Sequence, residues 1–355
     1  MPQPDWSRMA TLPLTAWHPR SQLSLPATPV PRSAVPAIDI HNHLGRWLSD
    51  GEWMIDDVDA LLRVMDERNI QAMVNLDGMW DDELRANLDR YDRAHPGRFL
   101  TFCQLDWEQL AEGAGEERLL ASLEESAAQG ARGVKVWKNL GLRVHDEQGR
   151  LVMPDDPRVV RVLGRAGELG LPVLIHTADP KAFFEPVDEK NERLDELLVE
   201  RDWWFGDTDR FPTFETLLAA LRALVLATPG TTYIGAHAGC AAEDLDLVEA
   251  LIADAPNFTI DIAGRVAELG RQPRRFRRLI EAWPDRVLFG TDIYPITSEQ
   301  FELHFRFLES TDEAFEYAPG EAVPPQGRWT VSGLGLDAPE LAAIYHDNAA
   351  RVLGL

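Results

Sequence analysis

From Ala37 onward, short apolar or β-branched runs alternate with stretches whose apolar residues recur every three or four positions. AIDIHNH (37–43) precedes an amphipathic segment at 57–68, QAMVNLD (71–77) one at 81–95, and RFLTFCQL (98–105) one at 116–129. GVKVW (133–137), PVLIH (172–176), TYIGAH (232–237), FTIDI (258–262) and RVLFGTD (286–292) are followed by segments near 157–169, 214–228, 243–254, 273–282 and 298–309. The pattern predicts eight strand–helix units. Eight such units with right-handed crossovers are what a closed parallel barrel requires, so the expected class is α/β, a (β/α)8 TIM barrel. A dinucleotide-binding sheet is disfavoured, because no G-x-G-x-x-G or Walker-type loop opens the first unit.

Four regions fall outside the alternation. Residues 1–36 are proline-rich with little periodicity and read as an irregular arm lying over a catalytic domain that spans 37–355. Two insertions follow strands four and five. Residues 141–153 read as a small hairpin turning at Glu147-Gln148-Gly149, and 177–212 as a long connection rich in aromatics. Both leave the C-terminal ends of strands, the barrel face where active sites sit. Residues 311–336 are rich in proline and glycine and lead to a last helix, 338–353, expected to cap the barrel.

Composition narrows the function. The 355 residues, 45% hydrophobic and 26% charged, match an ordinary globular chain able to bury a large core. A formal net charge of −24 repels polyphosphates, which argues against nucleic acid and anionic membranes and leaves a small-molecule substrate. The two cysteines, Cys103 and Cys240, are too few for a disulfide framework and point to a reducing compartment, with the cytoplasm as the expectation. The N-terminus lacks a basic segment followed by an apolar one, and no run of about 18 apolar residues occurs.

The candidate chemistry lies at the strand ends. His41 and His43 are an i,i+2 pair on the first strand and share a facing direction. His176 ends strand five, His237 strand six and Asp292 strand eight, and a closed barrel brings all strand ends to one rim. Three neutral imidazoles and a carboxylate suit Zn2+, with Mn2+, Fe2+ or Co2+ acceptable, and leave a fourth imidazole free to move protons. On such an ion a water approaches a pKa of about 7.

This arrangement, with the wording IDIHNHLG, HTADP, GAHAGC, FGTDIYP and IYHDNAARVLGL, resembles the amidohydrolase superfamily over residues 36–355. The similarity is to its amidohydrolase-related branch, which includes aminocarboxymuconate-semialdehyde decarboxylase, resorcylate decarboxylases and lactone hydrolases. The resemblance implies a mononuclear site with His41, His43, His176 and Asp292 as ligands and His237 as general acid/base. It also implies two roles for Lys135, which falls on strand four: a bridge between two ions, or a substrate anchor. A charge paired with a barrel carboxylate is its structural alternative. Dimers are common in the branch, so a homodimer is expected. The implied reaction is hydrolysis of an ester, lactone or amide by a metal-activated water. Non-oxidative decarboxylation of an aromatic or unsaturated acid is the alternative.

Other residues divide between site and scaffold. Arg265 after strand seven is the expected anion anchor, with Trp137 after strand four and Tyr294 after Asp292 as substrate contacts. Lys138, Asn139, Phe183, Phe184, Trp203 and Trp204 are further candidates at the mouth, although Phe183 and Phe184 read equally as a small core of the insertion. Asp39 reads as either a partner orienting a ligand or a structural acid. Cys103 and Cys240 read as buried thiols, and RQPRRFRR (271–278) as a solvated helix face paired with neighbouring acids. His18, His95, His145, His304 and His346 read as surface or structural.

Overall fold

The computed structural model describes residues 3–13, 16–294 and 296–355. All eight expected strands form: β1 Ala37–Asn42, β2 Ile70–Asn75, β3 Phe99–Thr101, β4 Val134–Val136, β5 Val173–Ile175, β6 Tyr233–Gly235, β7 Phe258–Asp261 and β8 Val287–Leu288. They are parallel throughout, in one sheet of order β1-β2-β3 and another of order β4-β5-β6-β7-β8. Backbone hydrogen bonds join the sheets at both seams. Cys103 N donates to Gly133 O (2.9 Å) and Lys135 N to Cys103 O (2.7 Å) on one side; Ile40 N donates to Phe289 O (3.1 Å) and Asp292 N to His41 O (2.9 Å) on the other. The ring of strands is that of a (β/α)8 barrel whose seams are thinner than its ladders.

The barrel helices are α1 Val58–Arg68, α2 Asp81–Leu88, α3 Gly115–Gln129, α4 Pro157–Glu168, α5 Phe214–Ala227, α6 Leu245–Asp254, α7 Pro273–Ala282 and α8 Ser298–Glu309. Their boundaries follow capping chemistry. Asp57, Asp156, Thr213 and Asp244 accept backbone N–H groups at the starts of α1, α4, α5 and α6, while Pro157 and Pro273 occupy first-turn positions that need no donor. Two predicted helices are shorter or broken. The 81–95 segment turns π-helical at Asp89–Arg93, and the last helix divides into Ala338–Ala342, a π turn at Ala343–Asp347, and Asn348–Leu353. Each π turn holds a buried tyrosine whose hydroxyl reaches a specific acceptor: Tyr91 to Leu44 O (2.6 Å) and Tyr345 to Glu309 Oε1 (2.9 Å).

Most of the core lies between strands and helices. A separate cluster that includes Ile38, Ile40, Val74, Leu100, Leu174, Ile234 and Leu288 draws on six strands and on none of α1–α8; it is the barrel interior. Ala349 and Leu353 of the C-terminal helix belong to it too. Asn348 Nδ2 donates to Pro284 O (2.9 Å) and Val287 O (2.8 Å), and Arg132 to Leu353 O (3.3 Å). The last helix therefore plugs the end from which the strands start, as expected, and the opposite rim is left for chemistry.

The segments outside the repeat are also tied down. The arm carries a short helix, Trp6–Ala10, and is held where Thr28 N and Oγ1 donate to Asp312 (2.7 and 2.8 Å). The 141–153 hairpin forms as a single antiparallel bridge between His145 and Leu151. In the 177–212 insertion Phe183 packs on Trp203, and Phe184 on Phe205 and Phe214, so both phenylalanines belong to that segment's own core. Beneath them Arg193, almost wholly buried, bonds Glu196 Oε2 at 2.6 Å and pairs with buried Glu268. On α7, Arg275 and Arg277 pair with Asp246, Glu249 and Glu281, and the preceding Arg271 with Glu192, the solvated pairing read from the charge run.

Candidate metal centre

The rim side chains are positioned by irregular backbone rather than by regular strand. β1 slips register between Asp39 and Asn42, the stretch that holds His41. Beyond β6 the chain turns left-handed at His237 (φ 59°, ψ 49°) and Ala238 (φ 57°, ψ 43°), and Asp292 after β8 is left-handed as well (φ 54°). Such conformations cost about 1–3 kcal/mol each and persist only where surroundings enforce them. Here the enforcement is hydrogen bonding. His237 N donates to Asp261 Oδ1 (2.7 Å), and Asp39 Oδ1 and Oδ2 take Thr291 N (3.0 Å) and Thr291 Oγ1 (2.6 Å), substituting side chain for ladder just before Asp292.

The result is a convergence on Asp292. His41 Nε2 and His43 Nε2 lie 3.9 and 3.7 Å from its Oδ1, and His237 Nε2 lies 3.9 Å from its Oδ2. The ligand atoms of His41, His237 and Asp292 all fall within 4.8 Å of one another. Each imidazole is anchored through its other nitrogen: His41 Nδ1 to Asp261 Oδ2 (2.8 Å), His43 Nδ1 to Asp77 Oδ1 (2.6 Å), His237 Nδ1 to Ala263 O (2.8 Å). A carbonyl only accepts, so His237 carries its proton on Nδ1 and turns an Nε2 lone pair inward. The carboxylates favour the same tautomer in His41 and His43.

Electrostatics favour neutral His41 and His237 imidazoles beside an ionised carboxylate. Burial, reinforced by Lys135, holds His41 well below its ordinary pKa, and burial, reinforced by His176, does the same for His237. Burial alone would depress His43, but Asp77 lifts it above the usual histidine value. Burial raises the Asp292 carboxyl, yet His41, His43 and Lys135 together bring it below the ordinary range. The donor set, three anchored imidazoles and one carboxylate, fits a divalent transition metal.

Lys135 is fully buried on β4 with Nζ 3.4 Å from His41 Nε2, and burial lowers its pKa to about 8. Arg265 is 8% exposed; its Nη1 donates to Gly264 O (2.8 Å), and among the described residues no carboxylate pairs with it. Gln326 Nε2, from the irregular 311–336 segment, donates to the same carbonyl (3.0 Å). Trp137 presents its ring 5.7 Å from both His43 and His176, whereas Tyr294 is 64% exposed, outside the cluster. Asp39 bonds the backbone of His41 and Thr291 and touches no imidazole, which makes it structural.

His176, expected as a ligand, lies against the cluster at the end of β5. Its ring packs on His237 (4.4 Å between centroids), but its Nε2 faces Asp179 Oδ1 at 3.4 Å. Asp179 in turn accepts from Lys138 Nζ at 2.6 Å. Sequence reasoning missed Asp77, Asp179, Asp261 and Gln326. Asp77, Asp261 and Asp179 had a signal, QAMVNLD and FTIDI closing strands and HTADP following a candidate ligand; Gln326 had none.

Fold and site define a class: a parallel barrel with a histidine–aspartate cluster at the C-terminal rim. The family model for amidohydrolases matches residues 38–355, and the chain belongs to that family. No curated protein matches it. Among solved structures, a 2,6-dihydroxybenzoate decarboxylase from Rhizobium is 15% identical, with 90% of this chain and 99% of that one covered and a TM-score of 0.56. A dihydroxybenzoic acid decarboxylase from Polaromonas, with bound manganese and the inhibitor 2-nitroresorcinol, is 14% identical over 90% and 97% of the chains, with a TM-score of 0.55. An amidohydrolase from Burkholderia multivorans with bound zinc is 15% identical over 91% and 100%, with a TM-score of 0.54. At these identities the likeness is one of fold. No described helix is long and apolar enough to cross a membrane.

Proposed function

We propose that the protein is a metal-dependent hydrolase acting on an ester, lactone or amide bond of a small, carboxylate-bearing molecule. The observation that carries the reading is the convergence of His41, His237 and Asp292, with His43 beside them, each imidazole anchored so that Nε2 faces inward. One divalent ion, Zn2+ by donor preference, with Mn2+, Fe2+ and Co2+ compatible, would be held there. When bound, the ion supplies Lewis-acid polarisation of a carbonyl and lowers the pKa of water. Asp292, 30% exposed in its side chain, is the group that accepts the proton from the attacking water. Arg265, buried and without a carboxylate partner among the described residues, anchors the substrate carboxylate, with Trp137 forming one wall. Lys135, set against His41, keeps positive charge beside the cluster and opposes a second ion there unless it is modified.

Decarboxylation is the second reading, because neighbours of the same fold are dihydroxybenzoate decarboxylases. Metal-loaded protein incubated with lactones and with hydroxybenzoates separates the two. Incorporation of solvent oxygen into a ring-opened product is the expected result; carbon dioxide release without that incorporation replaces hydrolysis by decarboxylation. The two buried free thiols fit a reducing cytoplasm, and the homodimer belongs to the same reading, checked by light scattering.

A further inference from the structure

The irregular 311–336 segment reaches the rim through one side chain. Gln326 Nε2 donates to Gly264 O (3.0 Å), the carbonyl that also accepts Arg265 Nη1 (2.8 Å). Two donors on one oxygen are neighbours, so the Gln326 amide stands beside the Arg265 guanidinium. The loop they share borders the metal centre. Ala263 O accepts His237 Nδ1 (2.8 Å), Gly264 N donates to Thr291 O (3.1 Å), and a methyl at Gly264 would stand 3.6 Å from His237 Nδ1 and 3.7 Å from Asp292 Oδ2.

Gln326 is held in place although it lies on neither strand nor helix. Its backbone N–H and that of Gly327 donate to the hydroxyl of buried Tyr317 (3.0 and 2.8 Å), which itself donates to Gly327 O (2.9 Å). Arg328, two residues on, bonds Asp195 of the 177–212 insertion (2.7 Å) and the Trp17 carbonyl of the arm (2.7 Å). The amide is therefore aimed by contacts on both sides of it.

The charges around Arg265 give the amide its task. The acids within Coulombic reach of the guanidinium are Glu196, Glu243 and Asp261, and each has a partner of its own. Glu196 Oε2 accepts from Arg193 (2.6 Å), Glu243 Oε1 from Lys181 N (3.2 Å), and Asp261 from His237 N (2.7 Å) while meeting His41 Nδ1 (2.8 Å). A carboxylate at 326 could not donate to Gly264 O and would pair with the guanidinium. A neutral amide satisfies the carbonyl and leaves the charge free.

We propose that Gln326 is a positioning residue for Arg265: its amide fixes the carbonyl on which the guanidinium leans and, being neutral, keeps that charge available to an anionic group of the substrate. The inference rests on the reading of Arg265 as a carboxylate anchor. It extends the site to a segment beyond the last barrel helix, α8.

The test titrates benzoate and its uncharged analogue benzamide into Zn2+-loaded protein, with dissociation constants read by ligand-observed NMR. Wild type, Arg265→Met, Gln326→Glu and Gln326→Met are compared; any contact of benzoate with the ion is common to all four and cancels in the comparison. Gln326→Glu is expected to weaken benzoate by at least about tenfold, because the new carboxylate captures the guanidinium, while benzamide changes by less than about twofold. Gln326→Met removes the donor without adding charge and is expected to weaken benzoate by about threefold. A structural role alone would move both ligands together, so a benzoate-to-benzamide preference in Gln326→Glu within about twofold of wild type overturns the proposal. If circular dichroism shows Gln326→Glu unfolded, Gln326→Met carries the test, and an unchanged preference there overturns it. Equal preference in wild type and Arg265→Met removes the anchor reading itself and the proposal with it, a result distinct from any effect at Gln326.

Discussion

The anchor beneath the site gives the sharpest quantitative prediction. Asp261 Oδ1 accepts two backbone N–H groups, from His237 (2.7 Å) and Ala263 (3.1 Å), while Oδ2 meets His41 Nδ1 (2.8 Å). Asp261→Asn preserves shape but offers one acceptor where two are needed. Either the amide NH2 faces two backbone donors or it faces the Nδ1–H of His41. A buried bond to a carboxylate is lost, and removing one is worth about 1.5–3 kcal/mol. If the amide turns its NH2 to His41, the imidazole takes the other tautomer and puts N–H where its lone pair faced Asp292. Loss of such an orienting carboxylate typically weakens metal affinity by about 10–100-fold, or about 1.4–2.7 kcal/mol. Urea unfolding of the metal-free protein and chelator competition with Zn2+ measure the two effects separately. An Asp261→Asn protein with stability within about 0.5 kcal/mol of wild type and Zn2+ affinity within about twofold would refute the idea that this carboxylate organises the centre.

Other perturbations test other parts of the molecule. His304 is buried on α8 and burial lowers its pKa to about 4, so the unfolded chain binds its proton first as pH falls. Stability from this group is complete above about pH 6.5 and declines by about 1.4 kcal/mol per unit down to about pH 4; His304→Gln should flatten the acid limb of denaturation midpoints against pH, and an unchanged limb contradicts the assignment. Gly264, at φ +60°, has room for a methyl 3.6 Å from His237 Nδ1 and 3.7 Å from Asp292 Oδ2. Gly264→Ala is expected to cost about 1–2 kcal/mol from the left-handed backbone and to weaken substrate binding, read as lower Tm with raised KM. Arg193→Met leaves the buried Glu268 without its partner and is expected to cost about 3–5 kcal/mol, with faster protease cleavage in 177–212 as a second readout.

Much of the fold was legible because strand and helix periodicities are local. A buried barrel strand is a short apolar run whatever its neighbours do, so β1 and β3 to β8 fall within their predicted windows and β2 begins one residue before its own. The ends were less legible. FGTD reads as strand to Asp292, yet β8 stops at Leu288 because Asp39, 252 positions earlier in the chain, takes the hydrogen bonds of Thr291. The two π turns were invisible for a similar reason, since the acceptors of Tyr91 and Tyr345 lie 47 and 36 positions away.

For the site, the sequence alone determined which residue types gather at the rim, because every strand of a parallel barrel must end there. It placed His41, His43 and Asp292 at one rim, and the structure sets both imidazoles within 3.9 Å of Asp292 Oδ1, with Lys135 beside His41. Tertiary structure decided orientation. Which nitrogen of each imidazole points inward depends on Asp77, Asp261 and the Ala263 carbonyl, delivered by other units of the barrel. The turn of His176 toward Asp179, and of His237 toward Asp292, depends on a left-handed backbone and a buried lysine–aspartate pair that no strand pattern encodes. Facing direction follows from local periodicity; the aim of an imidazole follows from its hydrogen-bond partners, and those are brought to it only by the closed fold.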